Sequence, residues 1–269
     1  MRIVAPTVCA RDARGTGYTL PMAPPDETSP LMALADELAA SLERLHFSPP
    51  VTHVYNTLVY ARAPYEAYVT RYAVPPKEVL LVGMNPGPWG MAQTGVPFGE
   101  VSLVRDWMGI GGPVGRPPVE HRARRIDGFE CVRSEVSGRR LWGWARDTFK
   151  TPEAFFARFF VVNYCPLLFL EDSGRNRTPD KLPAAEQAPL LALCDGALRR
   201  TVELLRPRVV AGVGRFAQKR IEEACKGMTG PEAPATIGRI THPSPANPAA
   251  NRGWEDLVKS ELTSLGVEL

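Results

Sequence analysis

Glu78-Val79-Leu80-Leu81-Val82-Gly83-Met84 is, after its first residue, an unbroken apolar run of strand length. Polar alternation would mark a strand with one wet face. A continuous run suits a strand buried on both faces, as in a parallel sheet covered by helices. Runs of the same kind recur at Phe159-Phe-Val-Val-Asn-Tyr164, at Val209-Val-Ala-Gly-Val213 and, more weakly, at Thr236-Ile-Gly-Arg-Ile-Thr241. Stretches with helical character separate them, roughly 140–157, 184–205 and 215–226, and a last one starts at Trp254. Strands alternating with helices predict an α/β fold, a three-layer α/β/α sandwich with a central four-stranded parallel sheet. Ligands of such sheets bind outside the carboxyl ends of the strands. The loops after Met84, Asn163, Val213 and Thr241 are therefore where chemistry is expected.

Upstream of the first run, Ser29-Pro30 opens a helix with Leu31, Leu34, Leu38, Leu42 and Leu45 on one face, which Pro49-Pro50 ends. Pro64 to Ala73 reads as a short helix. Residues 1–28, rich in Pro, Gly and Thr, read as a flexible arm, and 29–269 as one domain. Arg2, Arg11 and Arg14, with little acid around them, leave a transit peptide as the alternative reading of the arm. No apolar run with a small-residue cleavage site marks a secretory signal. No stretch of about 20 apolar residues occurs, so no membrane span is expected.

The net charge of +3 is too mild to announce a nucleic-acid partner. The arginine-rich stretch Arg116–Arg146 reads as a solvated face, with a phosphate track as the alternative. Five cysteines stand far apart with no C-x-x-C pair, which argues against a zinc site, an iron–sulfur cluster or a disulfide framework. No metal or cofactor is expected, and the thiols point to a reducing intracellular compartment: cytoplasm or nucleoid in a bacterium, nucleus in a eukaryote.

The loop after the first strand is Gly83-Met-Asn-Pro-Gly-Pro-Trp-Gly-Met-Ala-Gln-Thr-Gly-Val-Pro-Phe-Gly99. Such dense Gly and Pro make a rigid, irregular backbone that can approach a ligand closely. The loop after the last strand is His242-Pro-Ser-Pro-Ala-Asn-Pro-Ala-Ala-Asn-Arg-Gly-Trp254. Asn85, Asn163 and His242 each stand at a strand end, where each alone could be a turn or cap residue. Gly212-Val-Gly-Arg-Phe-Ala217 partly matches a dinucleotide fingerprint. It lacks a second strand ending in an acid, so a tight strand-to-helix turn explains it better. No P-loop, H-E-x-x-H or nucleophile elbow is present.

Gly83-Met-Asn-Pro-Gly-Pro-Trp-Gly-Met-Ala-Gln93 and His242-Pro-Ser-Pro245 resemble the two signature motifs of the single-strand-selective monofunctional uracil-DNA glycosylases. Phe98-Gly-Glu-Val101, Val136-Ser-Gly138, Cys165-Pro-Leu-Leu-Phe-Leu170, Ser173-Gly-Arg-Asn176 and Asn251-Arg-Gly-Trp254 are similar too, and the resemblance runs from about Pro64 to the C-terminus. It implies an enzyme that hydrolyses uracil, or a uracil altered at the 5-carbon such as 5-hydroxymethyluracil, from single- and double-stranded DNA without a metal. By the same resemblance Asn85 orients the attacking water and His242 stabilises the departing base. Asn163 reads the uracil edge, Phe98 stacks on the flipped ring, and Met84, Gly87 and Met91 complete the pocket wall. Ser173, Gly174, Arg175, Asn176 and Arg177 then contact DNA, as do Ser244, Pro245, Ala246, Asn247, Asn251 and Arg252 of the second loop.

Two departures stand out. Ala246 occupies the place where the family carries an arginine wedge, and Trp89 replaces a phenylalanine. A short wedge fills a vacated stack poorly, so single strands are expected to be the better substrate. No lysine stands in either motif, which fits a monofunctional enzyme. A monomer is expected. Two other readings stay open: a glycosylase of broader deaminated-base specificity (hypoxanthine, xanthine), and a non-catalytic binder of damaged or single-stranded DNA.

Overall fold

The computed structural model describes residues 29–269 and the backbone of two short antiparallel strands, β1 (Cys9–Arg11) and β2 (Gly17–Thr19). Apart from those strands, the arm expected over 1–28 lies outside the described residues. Helix α1 (Pro30–Leu42) starts with proline, whose missing N–H costs nothing in a first turn, and buries Met32, Leu34, Ala35, Ala39 and Leu42. Strand β3 (Val51–Asn56), α2 (Thr57–Tyr60) and α3 (Arg62–Tyr72) follow.

The deciding run forms β4 (Val79–Gly83), buried along its whole length. Next come α4 (Met91–Thr94), a π-helical turn (Leu103–Trp107), α5 (Val136–Phe149) and α6 (Pro152–Phe156). The single helix expected over 140–157 is thus two. Lys150 takes a left-handed φ of 69°, and the Thr151 hydroxyl then accepts the Ala154 N–H (3.2 Å) with Pro152 behind it, a complete helix-start signal inside the expected helix. The remaining elements are β5 (Phe159–Asn163), β6 (Leu167–Glu171), β7 (Asn176–Arg177), α7 (Ala184–Leu205), β8 (Val209–Val213), α8 (Arg215–Ala224), β9 (Thr236–Ile240) and α9 (Trp254–Ser264).

The four strands read from the sequence form one parallel sheet in the order β5-β4-β8-β9. Two glycines show why helices cover both faces. A Cβ on Gly212 would collide with the backbone at Gln218 in α8. A Cβ on Gly238 would collide with Leu265, just past α9. Gly238 pairs with Ala211, the neighbour of Gly212, so the two glycines face opposite sides of the sheet. Helices α8 and α9 therefore lie on opposite faces; α7 packs beside α8, and α5 beside α9. The Gly212 turn is filled by α8 itself, which disposes of a dinucleotide phosphate there.

A second, antiparallel sheet, β3-β6-β7, was not expected from the sequence. Strand β3 carries Thr52, His53 and Asn56 among its apolar residues. Strand β6 follows β5 after only three residues, too few for the crossover that a parallel neighbour needs, so the chain leaves the main sheet.

Candidate active site

The strand order leaves β4 at the centre with its chain successors on both sides, and a crevice opens at the carboxyl ends of the sheet. A cavity of about 290 Å³ lies there, close to the lower size of ligand pockets, about 300 Å³. Met84, Asn85, Gly87 and Met91 reach it from the loop after β4, Phe98 from the end of that loop, Asn163 from the end of β5 and His242 from the loop after β9. All seven residues expected to act on base or water thus line one space.

Asn85 is fixed by the unexpected sheet. Its Nδ2 donates to the Leu167 carbonyl at the start of β6 (3.1 Å). With the amide nitrogen committed, Oδ1 remains as an acceptor. His242 is fixed by its own loop: the Ser244 backbone N–H donates to Nδ1 (3.0 Å). That bond needs a lone pair on Nδ1, so the ring carries its proton on Nε2 and is neutral. Burial also holds the imidazole pKa below its usual value. A neutral Nε2–H donor facing the cavity is the form that can stabilise negative charge without ionising.

Phe98 adopts φ of 55°, uncommon for a residue with a side chain. Its surroundings over-determine it. Trp142 Nε1 donates to the Pro97 carbonyl (3.1 Å), and α5 presses Gly138 against the Phe98 carbonyl, where a Cβ would overlap the oxygen. Gly83 lets the Phe98 ring and the Asn163 amide lie over the end of β4; a Cβ there would come within 2.6 Å of Phe98 Cε2. Asn163 Nδ2 meets only the Met91 sulfur (3.2 Å), a weak acceptor that a better one can replace.

A prediction follows for two glycines of α5. Gly138→Ala gains helix propensity worth at most about 1 kcal/mol. It loses more, because the clash is with backbone, and overpacking costs roughly 1–3 kcal/mol. The expected result is a lower Tm, by about 2–4 °C per kcal/mol of net loss, and a displaced Phe98. Gly143→Ala, where a Cβ meets nothing within 4 Å, should leave Tm unchanged or raised. Thermal melts of both variants check this; equal melting points would refute the packing argument.

Glu135, absent from the expected site, also lines the cavity. One carboxylate oxygen accepts the Ser137 N–H at the start of α5 (3.2 Å). The other packs against Gly87, 2.6 Å from where a Cβ would stand. Burial raises its pKa. An acid directly before the Val136-Ser-Gly138 segment was the available signal, and it reads as a helix cap. Ser137 also lines the cavity unexpectedly, while Gly90, within the Gly87–Met91 backbone expected on the 5-carbon side, and Thr178, at the end of the loop expected on phosphates, complete the lining.

The residues expected on DNA divide into three groups. Ser173, Arg175, Pro245, Ala246 and Arg252 are exposed around the site. Asn176 and Ser244 line the cavity itself. The others bond within the protein. Gly174 is buried with φ of 77° against His121, and the Arg177 guanidinium binds the Glu171 carboxylate (2.9 Å) and the Lys181 carbonyl (2.9 Å). Asn247 donates to the His242 carbonyl and accepts from the Ala249 N–H, while Asn251 bridges the Pro245 carbonyl and Arg140. These amides hold the second loop in shape, and Asn251 stays exposed on it. Arg140 clips both ends of that loop, donating to the Pro243 carbonyl and to Asn251 Oδ1 (2.9 Å each).

A smaller cavity of about 60 Å³ between α1, α3, α7 and the sheet is mostly apolar and shares only Met91 and Asn163 with the site. Among the described residues no group of three His, Cys, Asp or Glu could hold a metal, and no helix is long and apolar enough to cross a membrane. Cys131, Cys165, Cys194 and Cys225 are free and buried.

Known proteins place this arrangement. The family model for the Uracil DNA glycosylase superfamily matches residues 71–259. A single-strand selective monofunctional uracil DNA glycosylase of Mus musculus is 53% identical over 230 residues, covering 86% of this chain and 81% of its own. One from Rattus norvegicus is 54% identical, with 86% and 82% covered. One from Bos taurus is 54% identical over 226 residues, with 84% and 82% covered. The crystal structure of SMUG2 from Pedobacter heparinus superposes with a TM-score of 0.60 over 87% of this chain and 98% of that one, at 18% identity, a likeness of fold. By these matches the chain belongs to the uracil DNA glycosylase superfamily and, within it, to the single-strand selective monofunctional uracil-DNA glycosylases.

Proposed function

We propose that this glycosylase takes a uracil out of the DNA stack into the cavity between Asn85 and His242 and hydrolyses its N-glycosidic bond, leaving an abasic site. The observation that carries the reading is the pairing of an amide acceptor with a neutral imidazole donor on one base-sized space. The C1′–N1 bond breaks with its electron pair going to the base. Negative charge grows on the uracil ring, and His242 Nε2–H donates to O2, where part of it collects. The sugar carbon becomes cation-like. A water whose O–H is held by Asn85 Oδ1 adds through its oxygen to C1′, and the proton it sheds leaves to solvent or to the released base. An amide cannot deprotonate water strongly, so Asn85 positions and the electrophilic carbon does the rest.

Asn163 supplies selectivity. It donates to O4 and accepts from N3–H of uracil, and cytosine presents the opposite pattern. Phe98 stacks on the ring. The side chains missing at Gly87 and Gly90 let Glu135 lie against the loop, where its carboxylate is an acceptor for a water or a 5-hydroxymethyl group.

The test is a panel of oligonucleotides carrying uracil, 5-hydroxymethyluracil, hypoxanthine or xanthine, incubated with the protein and then treated with alkali. Scission at uracil and 5-hydroxymethyluracil only is expected. Scission at the purines would establish the broader specificity, and none at any base would leave a DNA binder. Single strands are expected to react faster than duplex at equal salt, because exposed Ala246 cannot fill the gap an extruded base leaves. Equal rates on the two would defeat that argument.

A further inference from the structure

Within the arginine-rich stretch that reads as a solvated face, two members do something specific. The guanidinium carbons of Arg124 and Arg133 each lie 5.1 Å from the centroid of the Trp89 ring. Two cations on one indole are held by its negative π-face. Neither forms an ion pair with a carboxylate among the described residues, whereas Arg62, Arg158, Arg177, Arg208 and Arg220 all do. The indole orients the two charges without neutralising them.

The trio also adjoins residues that line the cavity. Trp89 lies between the lining residues Gly87 and Gly90, and Arg133 is two residues before Glu135. Arg124 Nε donates to the Gly174 carbonyl (2.7 Å), which ties it to the segment that brings Asn176 and Thr178 to the lining. Arg133 makes no side-chain hydrogen bond within the described residues and is exposed. Arg124 Nη1 also donates to the Ala123 carbonyl (3.0 Å), so Arg124 keeps its charge and Nη2 for a ligand while Arg133 keeps its whole fork. An unneutralised, pre-oriented pair of guanidinium groups beside the pocket suits a phosphodiester.

We propose that Arg124 and Arg133, stacked on Trp89, form a phosphate clamp that grips the DNA strand beside the flipped nucleotide. This rests on DNA being the substrate. The clamp holds the backbone in place of the absent wedge, and because it reads phosphate it works on a single strand as on a duplex.

The experiment measures binding without turnover. A fluorescein-labelled single strand containing a tetrahydrofuran abasic analogue is titrated with the full chain at several NaCl concentrations, and log Kd is plotted against log[NaCl]. Each phosphate contact contributes about 0.7 to the slope on single strands. Arg133→Ala should lower the slope by about that amount. Trp89→Ala should weaken binding and lower the slope, and Trp89→Phe, which keeps an aromatic face, should restore it. Arg44→Ala removes an exposed charge bonded, among the described residues, to Ser41 alone and should leave the slope at the wild-type value. The clamp is overturned if Arg133→Ala keeps the wild-type slope, if Arg44→Ala lowers it equally, or if Trp89→Ala binds as the parent does. Uracil excision is read separately: a protein that binds with this salt dependence and excises nothing would sink the glycosylase reading and leave the clamp standing.

Discussion

His242→Ala should lower kcat by about 10²–10³-fold, the effect of removing one well-aimed donor to a developing oxyanion, or roughly 3–4 kcal/mol. The loss should fall on kcat, because charge on the base O2 grows only as the glycosidic bond breaks. The ring also sets a pH expectation. Burial lowers the His242 pKa, and the Ser244 N–H occupies Nδ1, so protonation must displace that bond. The neutral donor persists as pH falls below the ordinary histidine value near 6.5, and the acid limb of the rate profile lies beneath it. The group adds stability above that value and loses it as pH drops. Single-turnover rates of parent and variant across pH check both points. A variant within threefold of the parent, or an acid limb at or above 6.5, would mean that the imidazole does not face the leaving base.

Asn85→Ala should cost about 10²-fold in kcat, the scale set by misplacing a reacting group by an ångström. DNA affinity should hold, since Asn85 lies in the cavity wall and its nitrogen is already spent on Leu167. Asn85→Asp is the sharper variant. It sets a carboxylate oxygen where Nδ2 stood, 3.1 Å from the Leu167 carbonyl, so two acceptors face each other. The side chain must turn or take up a proton, and turnover should fall although a carboxylate is a stronger base than an amide. If Asp matches or exceeds Asn, the group acts as a base and positioning is the wrong account. Burst kinetics with uracil oligonucleotides, beside Kd for an abasic analogue, separate the outcomes.

The strands of the main sheet were legible because each is buried on both faces, which leaves an unbroken apolar run whatever the neighbours are. Helix breaks were less so. Thr151-Pro152 carries its own start signal, but the apolar spacing across it hides the stop at Lys150. The β3-β6-β7 sheet stayed hidden, because β6 reads like another central strand and only its three-residue connection forbids that.

By itself the sequence determined the parallel four-strand order of elements, the two Gly- and Pro-stiffened loops at strand ends, and the amide and imidazole those loops carry. All of these are local properties, written in runs of neighbouring residues. Only the tertiary structure decided which face each group presents. Leu167 orients the Asn85 amide from 82 residues away, Arg140 clips the His242 loop across more than 100, and Gly138 seats Phe98 from a separate helix. It also tied Arg177, Asn247 and Asn251 to partners within the protein and brought Glu135 to the cavity. Hydrogen-bond partners and steric walls form between segments that are distant in the chain, so no local pattern records them.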